Sequence, residues 1–362
     1  MIRLPIRCVP PALVLGILSV GFATGAGNDD AEPPTRQSAA LHVRLTPIEG
    51  FDDEAAYARS IAARAGELVM QAQQNPDVLT QTDLLLAAAN LILAFEVEPL
   101  CAAKLLGFPD EQLPLSAKQV GDALDRADAI ILQTETTLSG IKGLEDAPAQ
   151  WLTESSHRAD TLTAFAKALR AFLQPEIGQE AGRRAAAGLS VFREDANPQV
   201  GAAASLWQAC LRARESDTSR AMTALDLALS DPRRNTMPFA FFARLLRCQL
   251  VSSRGGHVAA LAILTQIEDR CSIWVSGEKN RDDAARAVTF VEIQTLKDWL
   301  ASGTQDSDSS QQEWCANRIQ TLVQERFAGG SDTVLRLSTA VPIIAPVEDA
   351  GRQSLHSPTS QD

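Results

Sequence analysis

A short pattern occurs three times between Asp160 and Cys271: an aromatic residue is followed four positions later by Leu and then by Arg. The three matches are Phe165…Leu169-Arg170, Trp207…Leu211-Arg212 and Phe242…Leu246-Arg247. Counted from aromatic to aromatic, the spacing is 42 residues and then 35. A spacing of this length is typical of repeated helical hairpins. The middle of the chain is therefore predicted to form stacked antiparallel helical hairpins.

Each match is followed by a second, Ala-rich amphipathic segment. The three segments are residues 181–192, 219–229 and 258–267. In the first helix of a pair, the aromatic residue and the Leu four positions later lie on one face and pack against the partner helix. The Arg beside that Leu points away from this face, towards solvent or a neighbouring carboxylate. Because one hairpin cannot cover its own apolar stripe, the units are expected to stack.

The composition favours helices along most of the chain. Ala and Leu, which are the best helix formers, dominate, whereas Tyr, which favours strands, occurs once, at Tyr57. The predicted fold is all-α, an α-solenoid over residues 47–327. Residues 26–46 lack periodicity and are predicted to be a flexible linker. Residues 328–362 are predicted to be an extended or disordered tail, of which residues 333–347 would cover the apolar edge of the last hairpin.

The amino terminus has the features of an export signal. Arg3 and Arg7 precede an apolar run of about eleven residues, and small residues follow it, so residues 1–25 are predicted to be a signal peptide. This run is shorter than the ~20 residues that span a bilayer. The alternative is an uncleaved membrane anchor formed by the stretch from Val9 to Ala26. We therefore expect an exported protein, either periplasmic or secreted.

One of the second segments resembles a known repeat family. Ala221, Leu225, Ala228 and Pro232 follow the spacing of the second helix of a tetratricopeptide repeat, with the proline one residue early. Trp207 resembles the large residue of that family's first helix, but the family's Leu-Gly pair and its Tyr are absent. The resemblance covers about 110 residues and implies a scaffold with a concave surface for a partner protein or peptide; a generic helical bundle is the alternative. The residues predicted to pack the repeats are Phe165, Leu169, Trp207, Leu211, Ala221, Leu225, Ala228, Phe242 and Leu246.

Five cysteines lie outside the predicted signal, and none forms a Cys-x-x-Cys pair. An exported location permits disulfides, and Cys248 and Cys271 flank the turn of one predicted hairpin. They are the nearest possible disulfide pair, although the bridge would require the second helix to end early. The alternative is that the cysteines are buried among helices as small apolar side chains.

Motifs for catalysis and for metal binding are weak. His157, His257 and His356 form no His-Glu-x-x-His arrangement. Asp306-x-Asp308 resembles the start of a calcium loop but lacks its glycine and its glutamate. Ser276-Gly277-Glu278-Lys279 matches the Ser-x-x-Lys pattern of acyl-transferring enzymes without the elements that accompany it. We therefore predict no catalytic, cofactor-binding or metal-binding residues.

These observations leave two main hypotheses for function. The net charge of −12 disfavours unaided binding to nucleic acid. The favoured hypothesis is a non-enzymatic exported scaffold that binds a protein or peptide partner at the cell envelope; sequence does not separate it from a purely structural envelope protein. The alternative is an all-helical toroid enzyme that cleaves envelope polysaccharide. Such an enzyme needs acids beside aromatic platforms, so Trp151 or Trp207 next to paired carboxylates would favour it.

Overall fold

The structure is a computed structural model, and every regular element that it describes is helical. The predicted all-α fold is therefore confirmed for these residues. The predicted signal peptide, linker and tail lie outside the described part of the chain. The described residues are 54–105, 116–141, 149–233, 238–274, 278–302 and 309–327.

The α-helices follow one another with short connections. A π-helical turn, Leu93–Val97, joins the second helix directly to the third, and a 3₁₀ turn, Pro175–Ile177, follows the fifth. The helices are α1 Glu54–Gln74, α2 Val78–Ile92, α3 Glu98–Leu105, α4 Ala117–Ile141, α5 Ala149–Leu173, α6 Gln179–Ser190, α7 Pro198–Arg214, α8 Thr218–Ser230, α9 Pro238–Ser252, α10 His257–Trp274, α11 Glu278–Ser302 and α12 Ser309–Phe327.

Polar caps in the sequence begin several helices. The Asp77 side chain accepts hydrogen bonds from the backbone amides of Leu79 and Thr80 at the start of α2. Asn197 caps α7 in the same way, and proline follows it at the first helical position. Such side chains satisfy amides that have no partner within the helix. The starts of these helices are therefore specified by residues next to them in the sequence.

The turn between α9 and α10 depends on two consecutive glycines. Gly255 has a φ of +82°, a conformation that side chains with a Cβ rarely adopt. A Cβ on Gly256 would lie 2.9 Å from Val251 Cγ1 and 3.0 Å from the Val251 carbonyl oxygen. Because α10 passes this close to the end of α9, only a residue without a side chain fits at position 256.

The three repeated sequence matches fall in α5, α7 and α9, and the second segments correspond to α6, α8 and α10. The last of these runs to Trp274, beyond the predicted end at residue 267. The residues predicted to pack the repeats are all buried, with at most 3 % of each exposed: Phe165, Leu169, Trp207, Leu211, Ala221, Leu225, Ala228, Phe242 and Leu246.

The helix α7 lies at the centre of these contacts. It packs against α5, α6, α8 and α9. Between Val200 and Leu211, every residue except the half-buried Ala203 is buried. The Trp207 ring meets Phe172 of α5 edge to face, with 5.4 Å between ring centroids. Close packing on all sides follows from the small residues of α7, which let its neighbours approach.

Contacts between helices follow a regular order from α4 onwards. Each helix packs against the next one in sequence, and in addition α5 contacts α7, α7 contacts α9, and α9 contacts α11. The helices α6, α8 and α10 make their main contacts with these odd-numbered helices. At the other end, α2 packs against α1, α4 and α5.

One stretch, Val78–Val97, is long and apolar enough to cross a membrane by length and composition alone. It comprises α2 and the π-helical turn, and 61 % of its most apolar window is buried inside the protein. A helix that is apolar on most sides and buried in this way is typical of the core of a globular fold.

Candidate functional site

The arginines of the first and third matches connect neighbouring helices. Arg170 of α5 donates from Nη2 to Asp125 Oδ1 at 2.7 Å and to Asp128 Oδ2 at 2.8 Å, both on α4. Arg247 of α9 donates from Nε to Asp226 Oδ1 on α8 at 2.9 Å. These pairs are largely exposed, so each adds little free energy, about 0–1 kcal/mol. Their role is to hold the register between helices whose apolar faces already pack.

The arginine of the second match lies in a more buried pair. Arg212 Nη1 is 3.3 Å from Glu215 Oε2 at the carboxyl end of α7, and both side chains are mostly buried. A Cβ on Gly182 of α6 would lie 3.3 Å from Glu215 Oε1. The pair therefore fills the place where α6 passes the end of α7.

The best candidate for acid chemistry is Asp83, which lies on α2 beside Trp151 of α5. Trp151 Nε1 donates to Asp83 Oδ2 at 3.4 Å, and Arg158 Nη1 is 3.9 Å from Asp83 Oδ1. Oδ1 is buried and accepts no hydrogen bond in the described part of the chain. Trp151 thus lies beside a carboxylate, whereas Trp207 is buried against Phe172.

Burial raises the pKa of the Asp83 carboxyl above its ordinary value. The hydrogen bond from Trp151 and the positive charge of Arg158 oppose this increase, and the negative charges of Asp77 and Glu154 add to it. A carboxyl group in a mostly apolar site beside an indole can hold a proton that an exposed carboxylate would release. Sequence reasoning missed Asp83; the only signal was an acid within an otherwise apolar helix.

A second buried carboxylate lies in the π-helical turn. Both oxygens of Glu96 accept hydrogen bonds from Arg126 Nη2 of α4, at 2.6 and 2.7 Å. Burial raises the Glu96 pKa, and the interaction with Arg126 opposes that effect without cancelling it. π-helical turns are frequent at functional sites, but this carboxylate is already occupied by a structural partner. It therefore joins α4 to the turn between α2 and α3.

A histidine and an aspartate form a third polar pair. His157 Nε2 on α5 is 2.7 Å from Asp195 Oδ2 in the connection between α6 and α7. Asp195 Oδ1 accepts from the backbone amide of Asn197, and the His157 ring lies against Phe192. A histidine oriented by a carboxylate can act as a general base. Among the described residues, no nucleophilic side chain hydrogen-bonds to its other ring nitrogen.

The fourth polar group surrounds His257, which is buried at the start of α10. The Ser302 hydroxyl donates to the Trp299 carbonyl at 2.9 Å, so it accepts from His257 Nε2, 3.1 Å away. His257 Nδ1 then accepts from the Ser252 hydroxyl at 3.2 Å. Both ring nitrogens are used, and the residue joins α9, α10 and α11. Its role is structural.

The cysteine pair considered from sequence is not joined. Cys248 and Cys271 form no disulfide with each other, and Cys248 Sγ donates to the Ala260 carbonyl at 3.3 Å. Because α10 continues to Trp274, Cys271 lies ~16 Å along the helix from Ala260, too far for a bridge at this turn. Burial raises the Cys248 pKa to about 12, so its thiol is unreactive at neutral pH.

Burial makes two other thiols less reactive. Burial raises the pKa of Cys101 on α3 well above its ordinary value, and it does the same for Cys210 on α7. The negative charge of Glu98 increases the pKa of both thiols further. In the described part of the chain, no group of three or more His, Cys, Asp or Glu side chains is placed to hold a metal ion.

Each of the three second helices has an exposed apolar side chain near its carboxyl end. Val191 caps the end of α6, Leu227 lies in the last turn of α8, and Ile273 lies in the last turn of α10. They are 78 %, 47 % and 53 % exposed, respectively. Single exposed apolar residues are common on protein surfaces, and Val258, near the amino end of α10, is 66 % exposed as well. We call Val191, Leu227 and Ile273 the apolar strip.

Comparisons of the chain with protein-family models, with curated proteins and with solved structures found no match. The function is therefore inferred from the residues and geometry of this chain.

The raised pKa of Asp83 predicts that Asp83→Asn changes stability in a pH-dependent way. A carboxyl whose pKa is higher in the folded state favours folding at low pH, and this contribution is lost as pH rises through the folded-state pKa. Asparagine retains an oxygen for Trp151 but carries no charge. We therefore expect the free energy of unfolding of Asp83→Asn, relative to the parent, to be higher at pH 7 than below the ordinary aspartate pKa of about 3.9.

The measurement is urea unfolding at both pH values. Asp160→Asn, at an exposed position of α5, is the matched control and should show no such difference. An equal effect of Asp83→Asn at the two pH values would contradict the assignment.

Proposed function

We propose that this protein is an exported helical-repeat scaffold that binds a protein or peptide partner at the cell envelope. The observation that carries the proposal is the apolar strip: an exposed apolar residue at the same end of each second helix. Exposed apolar side chains gain free energy when another protein covers them, because apolar surface is then removed from water.

We infer that α5–α6, α7–α8 and α9–α10 stack as antiparallel hairpins of tetratricopeptide-like type. The row of contacts α5–α7–α9–α11 supports this arrangement, because it places the first helices of successive pairs side by side. Arg247, which joins α9 to the preceding hairpin, supports it too. In such a stack the second helices run in the same direction, so their carboxyl ends fall along one edge.

The partner surface differs from the one that the repeat resemblance implies. That resemblance predicts a concave surface lined by first helices. However, α7 and α9 bury or half-bury nearly all of their described side chains, and Arg214 is the one exposed residue among those between Pro198 and Arg214. A partner therefore finds little side-chain surface on these helices. We propose that the partner binds to the second helices at the apolar strip.

Replacing the strip residues should abolish partner binding without unfolding the protein. The experiment is co-purification of the tagged full chain from envelope fractions, with mass spectrometry of what is retained. In the triple variant Val191→Asp, Leu227→Asp, Ile273→Asp, three charges replace apolar contacts that must be dehydrated in a complex. We expect the stoichiometric partner of the parent to be lost from this variant.

The matched control is Leu132→Asp, because Leu132 is 64 % exposed on α4 and lies outside the strip. The Leu132→Asp variant should still co-purify with the partner. A partner that survives in the triple variant, or the recovery of the parent alone, would contradict the proposal. The amino terminus of the purified parent reports in the same experiment whether the signal peptide is removed.

A second function is favoured by one observation, the position of Asp83 beside Trp151. A carboxyl with a raised pKa can act as a general acid, and Glu154 is close enough for its charge to influence Asp83. This is the pairing expected of a toroid enzyme that cleaves envelope polysaccharide. The burial of Trp151 weighs against it, because a buried ring cannot serve as a sugar platform.

If the chain is such an enzyme, it should release soluble sugars from envelope polysaccharide, and Asp83→Asn should reduce the rate by at least about a hundredfold. Asp160→Asn should leave the rate unchanged. Equal release by the parent and Asp83→Asn, or no release by the parent, would exclude this role for Asp83.

A further inference from the structure

The last two described helices carry an exposed aromatic surface. Trp314 of α12 is 50 % exposed, and its ring meets Trp299 of α11 edge to face, with 6.2 Å between centroids. Trp299 in turn stacks on His257, with 5.9 Å between centroids and 17° between planes. Ser252 and Ser302 hydrogen-bond to the two ring nitrogens of His257, which orients the imidazole on which Trp299 stacks. We call Trp299 and Trp314 the tryptophan ledge.

This ledge lies at the end of the helical series. The helix α12 packs against α11, and it buries Cys315 and Leu322 while Trp314 lies to one side of that buried stripe. An indole that is rigid and half exposed offers a large apolar area at little cost in conformational entropy. Such a surface gains free energy when a second apolar segment covers it.

The sequence supplies such a segment after α12. Residues 341–347 read Val-Pro-Ile-Ile-Ala-Pro-Val, and residues 337–347 contain no charged side chain, although the chain as a whole carries −12. Prolines at positions 342 and 346 disfavour a helix. Extended proline-containing segments dock well on aromatic surfaces, because their backbone is already ordered and their rings stack on indoles.

The length of the connecting chain suits this contact. Trp314 lies 13 residues before Phe327, which corresponds to ~20 Å along α12. From Gly330 to Ile343 there are again 13 residues, which can span up to ~43 Å when extended. The sequence has two glycines after α12, at positions 329 and 330, and glycine tolerates backbone conformations that other residues rarely adopt. The apolar run can therefore return to the ledge of its own molecule.

We propose that residues 341–347 of the same chain dock on the tryptophan ledge and close the carboxyl-terminal end of the helical series. The contact is intramolecular, and it does not depend on the partner proposed for the apolar strip.

The experiment is limited proteolysis of the full chain with thermolysin, which cleaves on the amino side of large aliphatic residues. The bonds before Ile343 and Ile344 lie within the docked run, and the bond before Leu355 in the same tail is an internal reference. Because each bond has its own intrinsic cleavage rate, the quantity compared is the rate before Ile343 and Ile344 divided by the rate before Leu355. We expect this ratio to be about tenfold lower in the parent than in Trp314→Asp, as docking worth ~1.4 kcal/mol would give.

Met70→Asp is the matched control, because Met70 is 55 % exposed on α1, far along the chain from the ledge. It should keep the protection, and circular dichroism should show parental helix content in both variants. The same ratio of cleavage rates in the parent and in Trp314→Asp would overturn the proposal. Protection that grows with protein concentration would also overturn it, because the ledge would then bind a second copy.

Discussion

The structure depends on the burial of one helix, α7, by its neighbours on all sides. Its small residues allow α5, α6, α8 and α9 to approach closely, and Trp207 fills the space towards α5. A helix so enclosed cannot move without disturbing four others, because protein interiors are close-packed. The register of its neighbours is therefore set mainly by apolar contacts. Arginine–carboxylate pairs such as Arg247–Asp226 link neighbouring helices but add little to the free energy of folding.

This burial also determines where function can lie. Since α7 and α9 leave little side-chain surface free, the partner that we propose is assigned to the second helices. The apolar strip and the tryptophan ledge are two exposed apolar features of the described residues. The buried polar groups differ in their roles. Glu96 and His257 connect helices, whereas burial makes ionisation of the Asp83 carboxyl less favourable. Such a cost is compatible with chemistry but does not require it.

The sequence predicted the helices well because the information that specifies a helix is local. An aromatic residue and a Leu four positions apart define a helix face, and Asp77 or Asn197 define a helix start. The polar pairs were not predictable, because Trp151 and Asp83 are 68 residues apart and His157 and Asp195 are 38 apart. Such contacts depend on how one helix is rotated and shifted against another. The suggested Cys248–Cys271 bridge failed for a related reason: periodicity did not reveal that α10 continues to Trp274.

The most direct test of a fold organised around α7 is the thermal unfolding of Leu211→Asp, monitored by circular dichroism. Leu211 is buried on α7, so the substitution places a charge against packed neighbours and costs several kcal/mol. That cost is comparable with the total stability of a typical domain. We expect the helical signal of Leu211→Asp to collapse well beyond α7, whereas Leu227→Asp, at an exposed leucine on α8, should melt like the parent. Parental helix content and melting in Leu211→Asp would contradict a fold organised around α7.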